Sequence, residues 1–174
     1  NSTTIAGNIG TYPTTSITGL GNVVLGGTDN AGNASTQNAQ GAALMAYSTA
    51  AGLSATTNYT PIVDLGGLTL GPGVYADPSS IAITGTLILN GSANSVWVFQ
   101  AGSTLTAASG SNITLEGGAQ ASNVFWVVGS SATLGTTADF SGAILADTSI
   151  TADTGATVDG QLVALNGAVS LDDN

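Results

Sequence analysis

Residues 123–172 repeat with a step of 18, and no other feature of the chain restricts its fold as tightly. FWVVGSSATLGTTADFSG (125–142), AILADTSITADTGATVDG (143–160) and QLVALNGAVSLDD (161 onward) align end to end. Trp126, Ile144 and Leu162 fall in one column, Val128, Ala146 and Ala164 in another, and Gly142 and Gly160 in a third. A unit this short cannot bury an apolar face by itself, so successive units must stack. Each unit divides into three strands of about five residues separated by small turn residues. The pattern predicts a triangular parallel β-helix.

Alternation within the strands assigns directions. On the first strand of each turn (face A: 125–129, 143–147, 161–165) the inward residues are Trp126, Val128, Ile144, Ala146, Leu162 and Ala164. The outward ones, Phe125, Val127, Leu145, Val163 and Leu165, are also apolar, so this face needs a cover. On the second strand (face B: 132–136, 150–154, 168–172), Ala132, Leu134, Ile150, Ala152, Val169 and Leu171 point inward, with one slipped residue in the last turn. Thr133, Thr151 and Ser170 point outward, and the preceding coil adds Thr104 and Thr106. The third strand (face C: 138–142, 156–160) is more acidic, with Asp139, Ser141, Thr157 and Asp159 outward.

A single helical pattern supplies the cover. ASTQNAQGAALMAYSTAAG (34–52) follows the DNAGN turn, with Asn33 or Ser35 as the N-cap and Gly52 as the residue past the end. Ala39, Ala42, Ala43, Ala46 and Ala50 make a small-residue stripe, and Met45 and Tyr47 are read as core packing. The chain is thus one domain, 1–174. It has an N-terminal loop and strand region (1–28), a flanking helix (33–52) packed along face A, a loop at 53–63, and solenoid coils over 64–174. VDLGGLTLGPGVY (63–75), IAITGTLILNG (81–91) and VWVFQAGSTLTAASGSNITLEGGAQ (96–120) supply the earlier, less regular coils.

Composition removes several functions. The 174 residues include ten carboxylates and no Lys, Arg or His, for a net charge of −10. Phosphate contacts need basic side chains, so nucleic acid and anionic membrane surfaces are excluded as partners. Without cysteine there is no disulfide framework and no thiolate metal site. No 18-residue apolar run marks a membrane span. The chain begins at Asn1 rather than Met, the expectation for a removed leader. Five Asn-x-Ser/Thr sequons, at Asn1, Asn33, Asn58, Asn90 and Asn112, are candidate glycosylation sites and favour a secreted, extracellular setting.

Catalysis is not expected. Asp147, Asp153 and Asp159 stand six residues apart on an 18-residue period, which puts one on each face, and no His, Cys or Lys is present to act as base or nucleophile. Asp172 is expected one coil from Asp153, a like-charge pair that solvent exposure or calcium would relieve. Face B remains. Strands stacked about 4.8 Å apart, with alternate residues about 6.6 Å apart, hold its methyls and hydroxyls on a flat grid. Stiff, β-branched Thr keeps such a grid rigid enough to order a water layer. Thr also simply suits an exposed strand position.

Four stretches are similar to the microbial ice-binding (antifreeze) β-solenoid family: 65–75, 96–111, 118–136 and 142–172. GNIGTYPTTSITGL (7–20) resembles that family's N-terminal loop region. The resemblance implies an irregular right-handed β-helix with a long helix along one face, no cofactor, no catalysis, and ice as the partner of a flat solenoid face, here face B. Thr151-Ala152-Asp153-Thr154 matches a surface pattern of some members. Thr104, Thr106, Thr133, Thr151 and Ser170 are therefore the expected ice-binding residues. Members usually carry an apolar strand ahead of the GNIG region, where this chain starts, and Arg in the final turn, where it has Gln161 and Leu165. A missing first strand suggests a second role, as a structural subunit that assembles into extracellular filaments by end-to-end stacking or strand exchange.

Overall fold

The computed structural model describes residues 2–174; the sequon at Asn1 lies outside them. The chain opens with β1 (Thr3–Ile5) and β2 (Val23–Leu25), then α1 (Ala34–Ala51). Coil after coil follows, each visiting three faces in turn. The first coil is β3 (Thr57–Asn58), β4 (Val63–Asp64) and β5 (Thr69–Leu70). The second is β6 (Gly73–Asp77), β7 (Ile81–Ile83) and β8 (Thr86–Asn90), and the third is β9 (Trp97–Ala101), β10 (Leu105–Ala107) and β11 (Asn112–Glu116). The regular repeat then supplies β12 (Val124–Val128), β13 (Ala132–Leu134), β14 (Asp139–Ala146), β15 (Ile150–Ala152), β16 (Thr157–Ala164) and β17 (Val169–Leu171).

Every strand pairing is parallel, and the fold is the parallel β-helix with one helix that the repeat predicts. The 18-residue step is the true register: Ala132 lies over Ile150 and Asp139 over Thr157. The earlier coils keep the same columns, Ile81 against Leu105 and Leu105 against Ala132, with their extra residues in the turns. The first coil begins at Thr57, inside the stretch that reads as loop in the sequence. Faces C and A join in one sheet because β14 and β16 run through the corner without a break. Gly142 makes that corner in β14 at φ +114°, and a Cβ there would stand 2.7 Å from the Val124 carbonyl oxygen.

Inward side chains fill the tube. Trp97, Phe99, Trp126 and Phe140 are fully buried with Leu65, Leu87, Leu134 and Ile144. An aromatic stack runs through the coils. Tyr59, Tyr75, Phe99, Trp126 and Phe140 follow one another with ring centroids 6.3, 5.3, 4.0 and 5.2 Å apart. Contacts of this kind add about 0.5–1.5 kcal/mol each beyond area burial. The Trp126 Nε1–H donates to the Ser141 carbonyl at 3.1 Å, and Ser141, expected to face outward, is buried.

The helix covers face A. It contacts β9 and β12, and Val98, Val127, Leu145 and Leu165 beneath it are buried. Its half-buried stripe is Thr36, Gln40, Ala43, Tyr47 and Ala50, four and three residues apart in alternation as a helix seam requires. The expected alanine stripe coincides with it only at Ala43 and Ala50. Met45 is 72% exposed rather than packed, because it points away from the solenoid. Asn33 is the N-cap, its Oδ1 accepting from the Thr36 N–H at 3.0 Å. Gly52 ends the helix at φ −82°, right-handed, so it is not a left-handed C′ glycine. Instead, Gln100 Nε2 donates to the Ala50 and Leu53 carbonyls at 2.7 and 3.0 Å, satisfying the helix end from the solenoid.

A strand does stand ahead of Gly7. β1 pairs with β2, a bridge joins Ile9 to Asp29, and the Thr4 N–H donates to the Asn174 carbonyl at 2.8 Å. Residues 3–5 thus dock the N-terminal region onto the last coil.

Candidate functional site

Face B is a sheet of six parallel strands in the order β17, β15, β13, β10, β7, β4. Its middle column of outward residues runs Asp64, Ala82, Thr106, Thr133, Thr151 and Ser170, each registered on the next. Four of the five residues expected at the site thus fall in one line. Beneath them Leu105, Ala107, Ala132, Leu134, Ile150 and Ala152 are buried, which fixes the strands and holds the line straight. At β17, Val169 and Leu171 are inward in register but 41% and 37% exposed, with no strand of this face beyond them among the described residues.

The fifth expected residue, Thr104, behaves differently. It is half-buried and its hydroxyl donates to Ser80 Oγ at 2.9 Å. It belongs to a neighbouring row of small hydroxyls, in which Ser131 Oγ accepts from the Ser149 N–H and Ser149 Oγ from the Ala168 N–H. That row spends its hydrogen bonds on the protein. Among the described residues, the hydroxyls of Thr106, Thr133, Thr151 and Ser170 have no protein partner, and Thr106, Thr133 and Ser170 are exposed. The sequence misses the Ser80 row because the irregular spacing of the earlier coils hides its register.

The opposite border of the face is acidic at one end. After β10 and β13 come the small residues Ala108 and Gly135, and after β15 and β17 come Asp153 and Asp172. Thr154 Oγ1 donates to Asp172 Oδ2 at 2.8 Å, so in Thr151-Ala152-Asp153-Thr154 the second threonine is engaged and the first is free. Asp64 closes the column at its other end. Burial raises its pKa, but hydrogen bonds from the Thr84 hydroxyl, the Gly66 N–H and the Thr84 N–H outweigh that and hold the carboxyl below its usual value.

The carboxylates do not converge. Asp147 follows the face A part of β14, Asp153 follows β15 on face B, and Asp159 lies in the face C part of β16. Among the described residues no three metal-ligating side chains gather. No helix of the described residues is long and apolar enough to cross a membrane. Of the sequons, Asn58 is exposed, Asn33 caps the helix, Asn90 donates to Glu116, and Asn112 donates to Asp139 while accepting from Thr114.

A family model described as "Ice-binding-like" matches residues 1–174. An ice-binding protein of Nostoc sp. (strain HG1) is 45% identical over 173 residues, covering 98% of this chain and 64% of its own length. One from Colwellia sp. is 43% identical over 111 residues, 64% of this chain and 44% of its own. The chain therefore spans less than two thirds of the length of these relatives. The ice-binding protein of the Antarctic ascomycete Antarctomyces psychrotrophicus superposes with a TM-score of 0.96 at 40% identity, over 100% of this chain and 86% of that one. One from an Antarctic biological consortium superposes at 0.95 with 41% identity, over 99% and 79%.

Proposed function

Since the chain belongs to the ice-binding-like family, we propose that it is a secreted protein that adsorbs to ice through face B, with Thr106, Thr133, Thr151 and Ser170 as the contact row. The observation that carries this reading is a column of hydroxyls in strict register with no protein partner, beside a parallel row whose hydroxyls are bonded to the protein. Rigid methyls about 4.8 Å apart along the stack, each paired with a free hydroxyl, hold first-layer water in a regular array that merges with the ice lattice. Binding needs no cofactor and no reaction.

Thermal hysteresis and crystal shaping test the assignment. Thr133→Lys and Thr151→Lys are expected to abolish both, and Thr157→Lys on face C to leave both unchanged. Retained activity in the face B variants sinks the choice of face. Self-assembly through coil ends is a second reading, favoured by the exposed Val169 and Leu171 of the last coil. Negative-stain images showing only discrete particles at every concentration rule it out.

A further inference from the structure

We propose that the ice-contacting surface turns the corner from face B toward face C, with Thr137 as its outermost contact residue and Thr136 beside it. The inference rests on the reading of face B as the ice-binding side. It starts from the backbone. Three successive coils leave face B through a residue in the left-handed region: Gly110 at φ +69°, Thr137 at +57° and Gly155 at +73°. The same hydrogen bonds impose it each time. The Gly110 N–H donates to the Thr136 carbonyl at 2.9 Å, and the Thr137 N–H to the Thr154 carbonyl at 3.0 Å. Glycine adopts this conformation freely, whereas a β-branched residue there is a strained exception. The neighbouring coils meet the corner with glycine, so the fold alone does not account for a threonine at 137. Strain of this kind collects at functional sites. Among the described residues the non-glycine positions with positive φ are Ile62, Thr137 and Asp173. All three flank strands of face B: Ile62 precedes β4, Thr137 follows β13 and Asp173 follows β17.

The side chains at the corner suit a water-ordering role. Thr136 and Thr137 are both exposed. The Thr137 hydroxyl donates to the Thr136 carbonyl at 2.7 Å, which fixes the rotamer and so the direction of the methyl. Its oxygen keeps lone pairs to accept from water. The Thr136 hydroxyl has no protein partner among the described residues, whereas its counterpart one coil on, Thr154, is engaged by Asp172. Between Thr133 and Thr136 the outward position is Gly135, so no side chain interrupts the passage from the free row to the corner. Past Thr137 the surface ends. The next outward residue, Asp139, carries charge and accepts from Asn112 and Thr157 at 3.2 and 2.7 Å. Methyls and hydroxyls held stiffly on both sides of the bend order water on two adjoining planes rather than one. The Thr137 methyl also rests on the next coil, where a Cβ on Gly155 would stand 3.3 Å from it. That packing role is one that melting temperature reads separately.

Thr137→Gly gives this coil the residue its neighbours carry. It is expected to melt no lower than the parent, because relief of the left-handed strain offsets the added freedom of the unfolded chain. Its thermal hysteresis at equal protein concentration should nevertheless fall, and adding Thr136→Ala should lower it further. Unchanged hysteresis in Thr137→Gly, alongside its loss in Thr133→Lys, overturns the proposal while face B stands. Hysteresis retained in Thr133→Lys refutes the face B reading itself, and this proposal with it. A melting temperature of Thr137→Gly clearly below that of the parent also overturns it, because Thr137 would then be kept for its packing on Gly155.

Discussion

Thr133 and Thr104 are the same residue type on the same face, yet the protein uses them differently. The Thr104 hydroxyl is bonded to Ser80, while that of Thr133 is free. Thr104→Val is expected to destabilise by about 1 kcal/mol, the usual worth of such a bond. Thr133→Val should stay within about 0.5 kcal/mol of the parent. Thermal unfolding of the two variants separates them, and equal losses would mean that the two rows are not distinct. Asp64 shows the reverse situation, a residue of the same column held by its neighbours. Its folded pKa lies below the unfolded value of 3.8. The stability it contributes is thus present above pH 3.8 and lost as pH falls through the lower folded value. Asp64→Asn should therefore lower the melting temperature at neutral pH and flatten its fall in acid. An unchanged acid limb would show that the hydrogen bonds from Thr84 and Gly66 do not hold the carboxylate.

At the scale of elements, helix and solenoid were legible in the sequence to different depths. The columns of the 18-residue repeat give the register of β12 to β17 directly, because in a stacked coil the period is the register. The helix was visible as a segment, and its Asn33 cap was one of two choices. Its orientation was not, because a stripe of alanines is nearly symmetric in hydrophobicity; position was decided by Gln100, Gln40 and Tyr47. The Gln100 contact joins residues 50 apart, which no local pattern reveals. Gln100→Ala is therefore expected to loosen the C-terminal turn of α1, with faster hydrogen exchange at its last amides and about 1 kcal/mol lost overall. Gly142→Ala should be worse, since its φ of +114° and the 2.7 Å approach to Val124 leave no room for a Cβ at the corner of β14. Destabilisation below about 1 kcal/mol would show that this corner relaxes freely.

For the molecule as a whole, ten carboxylates without a single Lys, Arg or His leave every negative charge to be balanced by solvent ions. The core holds one of these carboxylates, Asp77, which is buried and accepts from the Val63 and Ser79 N–H groups at 3.0 and 2.7 Å, while the others sit on turns and outward positions. Self-repulsion does oppose the compact state, and it is longest-ranged at low ionic strength. The Debye length falls from about 30 Å at 0.01 M salt to about 8 Å at 0.15 M, so repulsion between faces is largely screened over that range. Melting temperature should consequently climb by a few degrees between those two concentrations and then level off. A protein of mixed charge would lose attractive pairs as it lost repulsive ones, but here only repulsion is available to screen. Asp153→Asn, which relieves the stacking against Asp172 at the edge of face B, should raise the low-salt melting temperature and shrink the salt increment together. A melting temperature independent of salt would mean that the carboxylates are too far apart to matter, and that the acidity of this chain serves its surface rather than its fold.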